Sequence, residues 1–293
     1  MLLRVALAVA DTLVNLLPSR VAYGLADLAG DVWRRSSPTR RQLVAANLAR
    51  VCMATDRPST GPAFAALVRL AFQNHARYYV ELLRAPRYPR EHIDEIVDVP
   101  EWESYEAPLS GGPAMLVSCH LGNFEPFGLF LVVRGIRPLA PVEEIEPREL
   151  FEFIAARRGG GGPELVPLAR SRRALVERLR SGGVVAIIGD RDLAGDGQPV
   201  TMFGHQTTLP IGPAWLAVNH RAAMLVGRCL RTGPDRFRAI GTFPEIPDTG
   251  DRREDIRVLV ERIAACFEAD IGSAPEQWWG AFQPFWPDLR GDG

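Results

Sequence analysis

The chain contains no lysine; all 34 of its basic residues are arginine. With its many Ala, Gly and Pro, this matches the coding bias of a GC-rich genome, although arginine also suits phosphate and carboxylate binding. The absence decides one motif. Gly159-Gly160-Gly161-Gly162 lacks the Lys-Ser/Thr ending of a phosphate loop and has no helix behind it, so it reads as a flexible break. Charge of one sign is also missing. A net charge of −1 over 293 residues carries no global nucleic-acid signature. Cysteine is scarce. Cys52, Cys119, Cys229 and Cys266 are far apart, with no C-x-x-C pair and no Cys/His cluster at zinc spacing. The expectation is free, buried thiols in a reducing compartment and no metal. A long uninterrupted apolar run is lacking too. The N-terminal stretch from Met1 to Leu17 is broken by Arg4, Asp11 and Asn15, which argues against a spanning helix and against a signal peptide. Those three residues fall on or near one helical face, with Leu and Val around the rest. Two readings follow: a helix lying in a membrane interface, or one docked on the protein's own core.

Residues 1–85 have helical spacing throughout, as in Val21 to Leu28 and Phe64 to Phe72, with Ser37-Pro38 opening a helix over 39–51. Arg34, Arg35, Arg40 and Arg41 form a basic cluster, either a solvated helix end or a contact for anionic lipid. From about residue 90 strands and helices alternate. Strands are predicted at 114–118, 164–167, 184–188, 223–229 and 236–242, and helices at 124–134, 147–158, 171–181, 210–220 and 252–270. The pattern predicts an α/β fold with a mostly parallel central sheet flanked by helices, behind an N-terminal helical region. The organisation expected is a helical region over 1–85 and an α/β core over 86–293, integrated as one domain. The aromatic C-terminal segment around Trp278, Trp279, Phe282, Phe285 and Trp286 reads as core, with an acyl-chain wall or a membrane contact as the alternative.

Ser118-Cys119-His120-Leu121-Gly122-Asn123-Phe124-Glu125 is the stretch that carries chemistry. It follows the apolar strand 114–118, and groups at strand ends project into the ligand crevice of α/β sheets. His120 can take a proton near neutral pH, and Glu125, across a Gly-Asn turn, can orient and charge it. A helix-capping role for Glu125 is the bland alternative. Cys119, a strand neighbour of His120, points to the opposite face and reads as structural. Asp190-Arg191-Asp192 follows the strand 184–188. It is either an ion-paired turn or a place where Arg191 holds the active-site loop or a phosphate. His205 and His220 have no partners at ligand spacing.

His120-Leu121-Gly122-Asn123-Phe124-Glu125 after a strand resembles the bacterial lauroyl/myristoyl lipid A acyltransferases and their actinobacterial relatives, the phosphatidylinositol mannoside acyltransferases. Further blocks share the likeness, which runs over roughly residues 20–287. They are Arg41 to Leu48, Gly189 to Leu193 with Met202-Phe203-Gly204, Pro210 to Ala217, and Pro275 to Trp278. Val142 to Pro147, with Leu150-Phe151 and Arg158, is closer to the actinobacterial branch. The sequence departs from that pattern at Glu144 and at Gln198-Pro199. The resemblance implies a peripheral enzyme at the cytoplasmic face of the plasma membrane. It would move a long acyl chain from acyl-CoA or acyl carrier protein to a glycolipid hydroxyl, with no cofactor. His120 would be the general base and Glu125 the carboxylate that holds its ring. Asn123, Glu143, Arg158, Asp190, Arg191 and Asp192 would meet the substrates. A phosphatidylinositol mannoside is the expected acceptor, a lipid A precursor the alternative. A thioesterase using the same pair with water, or an inert lipid-binding protein, are readings of other classes.

Overall fold

The computed structural model describes residues 2–290. Four helices come first: α1 (Leu2–Leu16), α2 (Ser19–Ser36), α3 (Pro38–Ala54) and α4 (Gly61–Arg84). Pro38 and Pro62 sit in the first turns of α3 and α4, where a missing N–H costs nothing. Then follow α5 (Ile93–Ile96), β1 (Val97–Asp98), α6 (Trp102–Ser110), β2 (Ala114–Ser118), α7 (Glu125–Val133), β3 (Leu139–Val142), α8 (Arg148–Gly159), β4 (Glu164–Pro167), α9 (Leu168–Arg180) and β5 (Val184–Ile188). The chain ends with β6 (Gln198–Met202), β7 (His205–Leu209), α10 (Gly212–His220), β8 (Ala223–Gly233), β9 (Arg236–Thr242), α11 (Arg252–Ser273) and short 3₁₀ turns.

Seven strands form one sheet in the order β1-β9-β8-β2-β5-β3-β4. All neighbours pair parallel except β8 with β9. This is the α/β architecture with a mostly parallel sheet and an N-terminal helical region. Strands buried on both faces read as continuous apolar runs, and β2 shows why. Met115 and Val117 pack into a core with α3, α4, α11 and the C-terminal tryptophans. Ala114 packs into a second core with α5, α6 and α7, and Leu116 lies against it. The predicted strands at 114–118, 164–167, 184–188 and 236–242 are present with those bounds, and β8 runs on to Gly233. The short β1 and the strands β3, β6 and β7 escaped the sequence. Pro141 interrupts β3. The β6–β7 hairpin turns at Phe203-Gly204, both at positive φ, instead of the usual Asn-Gly.

α1 docks by its polar side. Asp11 is buried, with Arg157 at 2.9 Å and Arg87 at 3.1 Å. Asn15 donates to the Leu83 carbonyl at 3.2 Å. Leu3, Val5, Val9, Leu13 and Leu16 are left exposed, and Val21, Leu25, Leu28 and Val32 continue the apolar stripe on α2. Among the described residues no helix is long and apolar enough to cross a membrane.

Candidate active site

Strands β2 and β5 lie side by side in register, Ser118 opposite Ile188. The chain leaves β2 through α7 on one face and leaves β5 toward α10 on the other. Such a divergence opens a crevice at the carboxyl ends of the strands. Two residues past each strand end stand His120 and Asp190. The Asp190 carboxylate, wholly shielded from solvent, accepts the His120 backbone N–H at 2.9 Å and the ring Nδ1–H at 2.5 Å. Burial alone would push this carboxyl up, but the charge of His120 and its hydrogen bonds hold it below the usual aspartate range. With Nδ1 committed, Nε2 is the nitrogen free to act as base.

Glu125 does not hold the ring. That expectation is corrected: the ring contact belongs to Asp190. Glu125 opens α7, where the first helical turn carries it to Arg158. Arg158 Nε donates to Glu125 at 2.7 Å, and Arg158 Nη2 donates to the Tyr78 hydroxyl at 2.6 Å. Burial raises the Glu125 carboxyl, and Arg158 opposes that rise. Asn123 is also reassigned. It is fully buried away from the groove, its Nδ2 donating to Glu81 at 2.9 Å and its Oδ1 accepting the Glu125 N–H at 3.0 Å. Gly122, at φ +64°, lies flat on β8. A Cβ there would stand 2.1 Å from the Cys229 carbonyl oxygen.

His120 looks into a groove of about 790 Å³ bounded by α4, α8, α9 and α10. Glu143, Arg158, Arg191 and Asp192 line it, with Tyr78, Tyr79 and Trp279. Glu143 and Arg191 meet at 3.3 Å on the exposed lip. Asp192 organises the following loop by accepting the N–H groups of Gly195 at 2.8 Å and Gly197 at 3.0 Å, and the Thr208 hydroxyl at 3.0 Å. Arg158, Phe124, Val142 and Ile187 also wall a second, mainly apolar chamber of about 130 Å³ between the sheet and α7. Its lining runs across β3, β5, β2, β8 and β9 to Tyr105. Four strand spacings make that path roughly 19 Å long.

The two adjacent tryptophans of the C-terminal aromatic segment differ in their surroundings. Trp278 is wholly buried. Trp279 is a wall of the site: edge-on to His120 at 4.4 Å, stacked on Tyr78 at 5.0 Å, and donating Nε1–H to the Gly122 carbonyl at 3.2 Å. The sequence pointed to neither Tyr78 nor Glu81, whose helical spacing in α4 looks like any buried face. Cys119 lies in the core, where burial holds its thiol well above the usual range. Among the described residues no three His, Cys, Asp or Glu side chains converge as a metal site.

A buried acid, a histidine with one free nitrogen and mainly apolar walls beside it place a candidate base in a groove. Phosphatidylinositol mannoside acyltransferase of Mycobacterium tuberculosis strain H37Rv is 30% identical over 247 residues, covering 82% of this chain and 75% of that protein. The protein of the same name from Mycolicibacterium smegmatis is 30% identical over 226 residues, covering 75% and 72%. Residues 3–286 match the family described as bacterial lipid A biosynthesis acyltransferase. The match runs over nearly the whole chain, which belongs to that acyltransferase family.

Proposed function

We propose that the protein transfers a long acyl chain from acyl-CoA or acyl carrier protein to a hydroxyl of a membrane glycolipid, with a phosphatidylinositol mannoside as acceptor. The observation that carries this is His120, its Nδ1 bound to Asp190 and its ring facing the groove beside the apolar chamber. His120 Nε2 takes the acceptor hydroxyl proton as the oxygen attacks the thioester carbon. Asp190 stabilises the imidazolium that forms. The carbon–sulfur bond then breaks, and the imidazolium returns the proton to the departing thiolate. The acyl chain lies against the apolar walls of the groove, on the near side of the chamber. Arg158 and Glu125, fixed on each other at its mouth, together with Glu143 and Arg191 on the lip, meet the polar parts of the substrates. The names of the relatives favour the mannoside acceptor.

The site of action in this proposal is the cytoplasmic face of the plasma membrane, with the protein bound peripherally. The polar side of α1 is turned inward and its apolar side outward, the reverse of a helix covering an aqueous surface. α1 also borders α8, which lines the groove, through Arg4 and Glu152 at 3.3 Å.

Labelled palmitoyl-CoA, offered with phosphatidylinositol mannosides or lipid A precursors and followed by mass spectrometry, tests the reading. Acylated mannoside should form with the wild-type protein, and His120→Ala should abolish it with the fold intact. Thioester consumption that ignores the glycolipid would make this a hydrolase, and full activity in His120→Ala would remove the mechanism.

A further inference from the structure

The turn between His120 and Glu125 is held by backbone bonds to the C-terminal segment and, from α4, by one buried carboxylate. Glu81 is shut off from solvent and accepts four hydrogen bonds. The Tyr23 hydroxyl of α2 donates at 3.0 Å. Arg231 of β8 donates through Nε and through Nη2, the latter at 2.9 Å. Asn123 Nδ2 donates at 2.9 Å.

Only the last of these bonds reaches the site. Asn123 spends its Oδ1 on the Glu125 N–H, which begins α7, and its own N–H on the Cys229 carbonyl at 2.8 Å. Glu81 therefore fixes which way the Asn123 amide faces, and the amide fixes the start of α7. That start carries Phe124, which lines both groove and chamber, and Glu125, which lines the chamber. Arg231 does not need Glu81 alone, since its Nη1 also donates to Asn74 at 2.7 Å. A carboxylate placed only to neutralise Arg231 would have no reason to take the Asn123 amide as well.

We infer that Glu81 is a positioning residue for acyl transfer, acting through the Asn123 amide on the turn that joins His120 to Glu125. The inference rests on the acyl-transfer reading of this site. It makes a donor–acceptor prediction that packing does not. Glu81→Gln turns an amide N–H₂ toward Arg231 or toward the Asn123 N–H₂, so donor meets donor. Asn123→Asp turns a carboxylate toward Glu81, so acceptor meets acceptor. In the double variant Glu81→Gln/Asn123→Asp, the amide introduced on α4 donates to the carboxylate introduced in the turn, while Arg231 keeps Nε on the amide oxygen and Nη1 on Asn74 and only its Nη2 loses an acceptor. That carboxylate still accepts the Glu125 N–H, and the charge of the network is unchanged.

Each single variant should lose about 10²-fold in kcat, the scale of a small misplacement of reacting groups. The double variant should recover to within about tenfold of wild type, a coupling that independent residues do not show. Turnover is read well below each Tm, with the folded fraction checked by circular dichroism. Proton NMR of the His120 Nδ1–H provides a readout independent of any substrate. Its signal should shift or broaden in both single variants and return in the double. Single variants that keep wild-type kcat and Nδ1–H signal, or a double variant no better than the worse single, would overturn the inference. Absence of acyl transfer by the wild-type protein would sink the functional reading instead, leaving the NMR comparison to judge Glu81.

Discussion

At the scale of single residues, what a histidine does here is set by what its nitrogens meet. His120 has Nδ1 on a buried carboxylate and its ring facing the groove. His75, on α4, has the opposite surroundings. It stands edge-on to Phe282 at 4.4 Å and to Trp279 at 5.8 Å, and its Nδ1 is closed off from solvent without a partner. Burial, helped by the charges of Arg40 and His120, pushes this imidazole down from 6.5 to about 4. The unfolded chain therefore binds the proton more readily. Stability from a neutral His75 is fully present above the unfolded value and is lost as pH falls from about 6.5 toward 4. His75→Phe removes that proton site. In urea unfolding, going from pH 7.5 to 4.5, the wild type should lose about 2 kcal/mol more than His75→Phe. Parallel stability curves for the two proteins would show that His75 titrates normally in the fold. The same scale explains the error over Glu125. A partner five residues along the chain is visible in a sequence, whereas the choice between Glu125 and Asp190 depends on which strands become neighbours. The register of β2 with β5 makes that choice.

At the scale of elements, α8 shows how a helix can be held without an apolar seam. It has no buried residue, and its last turn is fastened by guanidinium groups. Arg157 reaches Asp11 of α1, and Arg158 reaches Glu125 of α7 and Tyr78 of α4. Removing one member of a buried ion pair strands the other, at about 3–5 kcal/mol, whereas an apolar replacement of both is close to neutral. Arg158→Met should thus be destabilised by about 3 kcal/mol, and Glu125→Met/Arg158→Met should regain most of that loss. Both should be poor acyltransferases, because the junction of groove and chamber loses its polar clamp. Equal denaturant midpoints for the single and double variants would contradict this account of the pair. Legibility at this scale followed the same physics. Strands β2 and β5 announced themselves because both faces are covered and their sequences are uninterrupted apolar runs. The strand β3 and the β6–β7 hairpin did not, since Pro141, Pro199 and a Phe203-Gly204 turn mask the usual signals. The groove itself was invisible, being made by α4, α8, α9 and α10, which meet only in three dimensions.

At the scale of the whole molecule, the distribution of polarity runs against what an aqueous surface requires. Large single apolar side chains on a surface are ordinary, but a continuous patch marks a place of contact. Val5, Val9, Leu13 and Leu16 on α1 and Val21, Leu25, Leu28 and Val32 on α2 follow helical spacing on the outside, while Asp11 and Asp31 are turned inward onto arginines. In the proposed reaction the enzyme also meets a glycolipid whose tails stay in a bilayer, and α1 lies beside the helix that lines the groove. A lipid surface is the occupant that the proposed function calls for. Two exposed aliphatic side chains buried in a bilayer interface contribute about 3–6 kcal/mol, so Val9→Glu/Leu13→Glu should weaken partition onto phosphatidylinositol-containing vesicles by about 100-fold or more. Because neither side chain packs on the core, Tm should move by less than a few degrees, and turnover of a short-chain, water-soluble acceptor should persist. Co-sedimentation with vesicles measures the first effect, and sedimentation equilibrium without lipid provides the control. If the double variant pellets with vesicles as the wild type does, the stripe is not the membrane face. If instead the wild type self-associates and the variant does not, a second copy of the chain covers these helices.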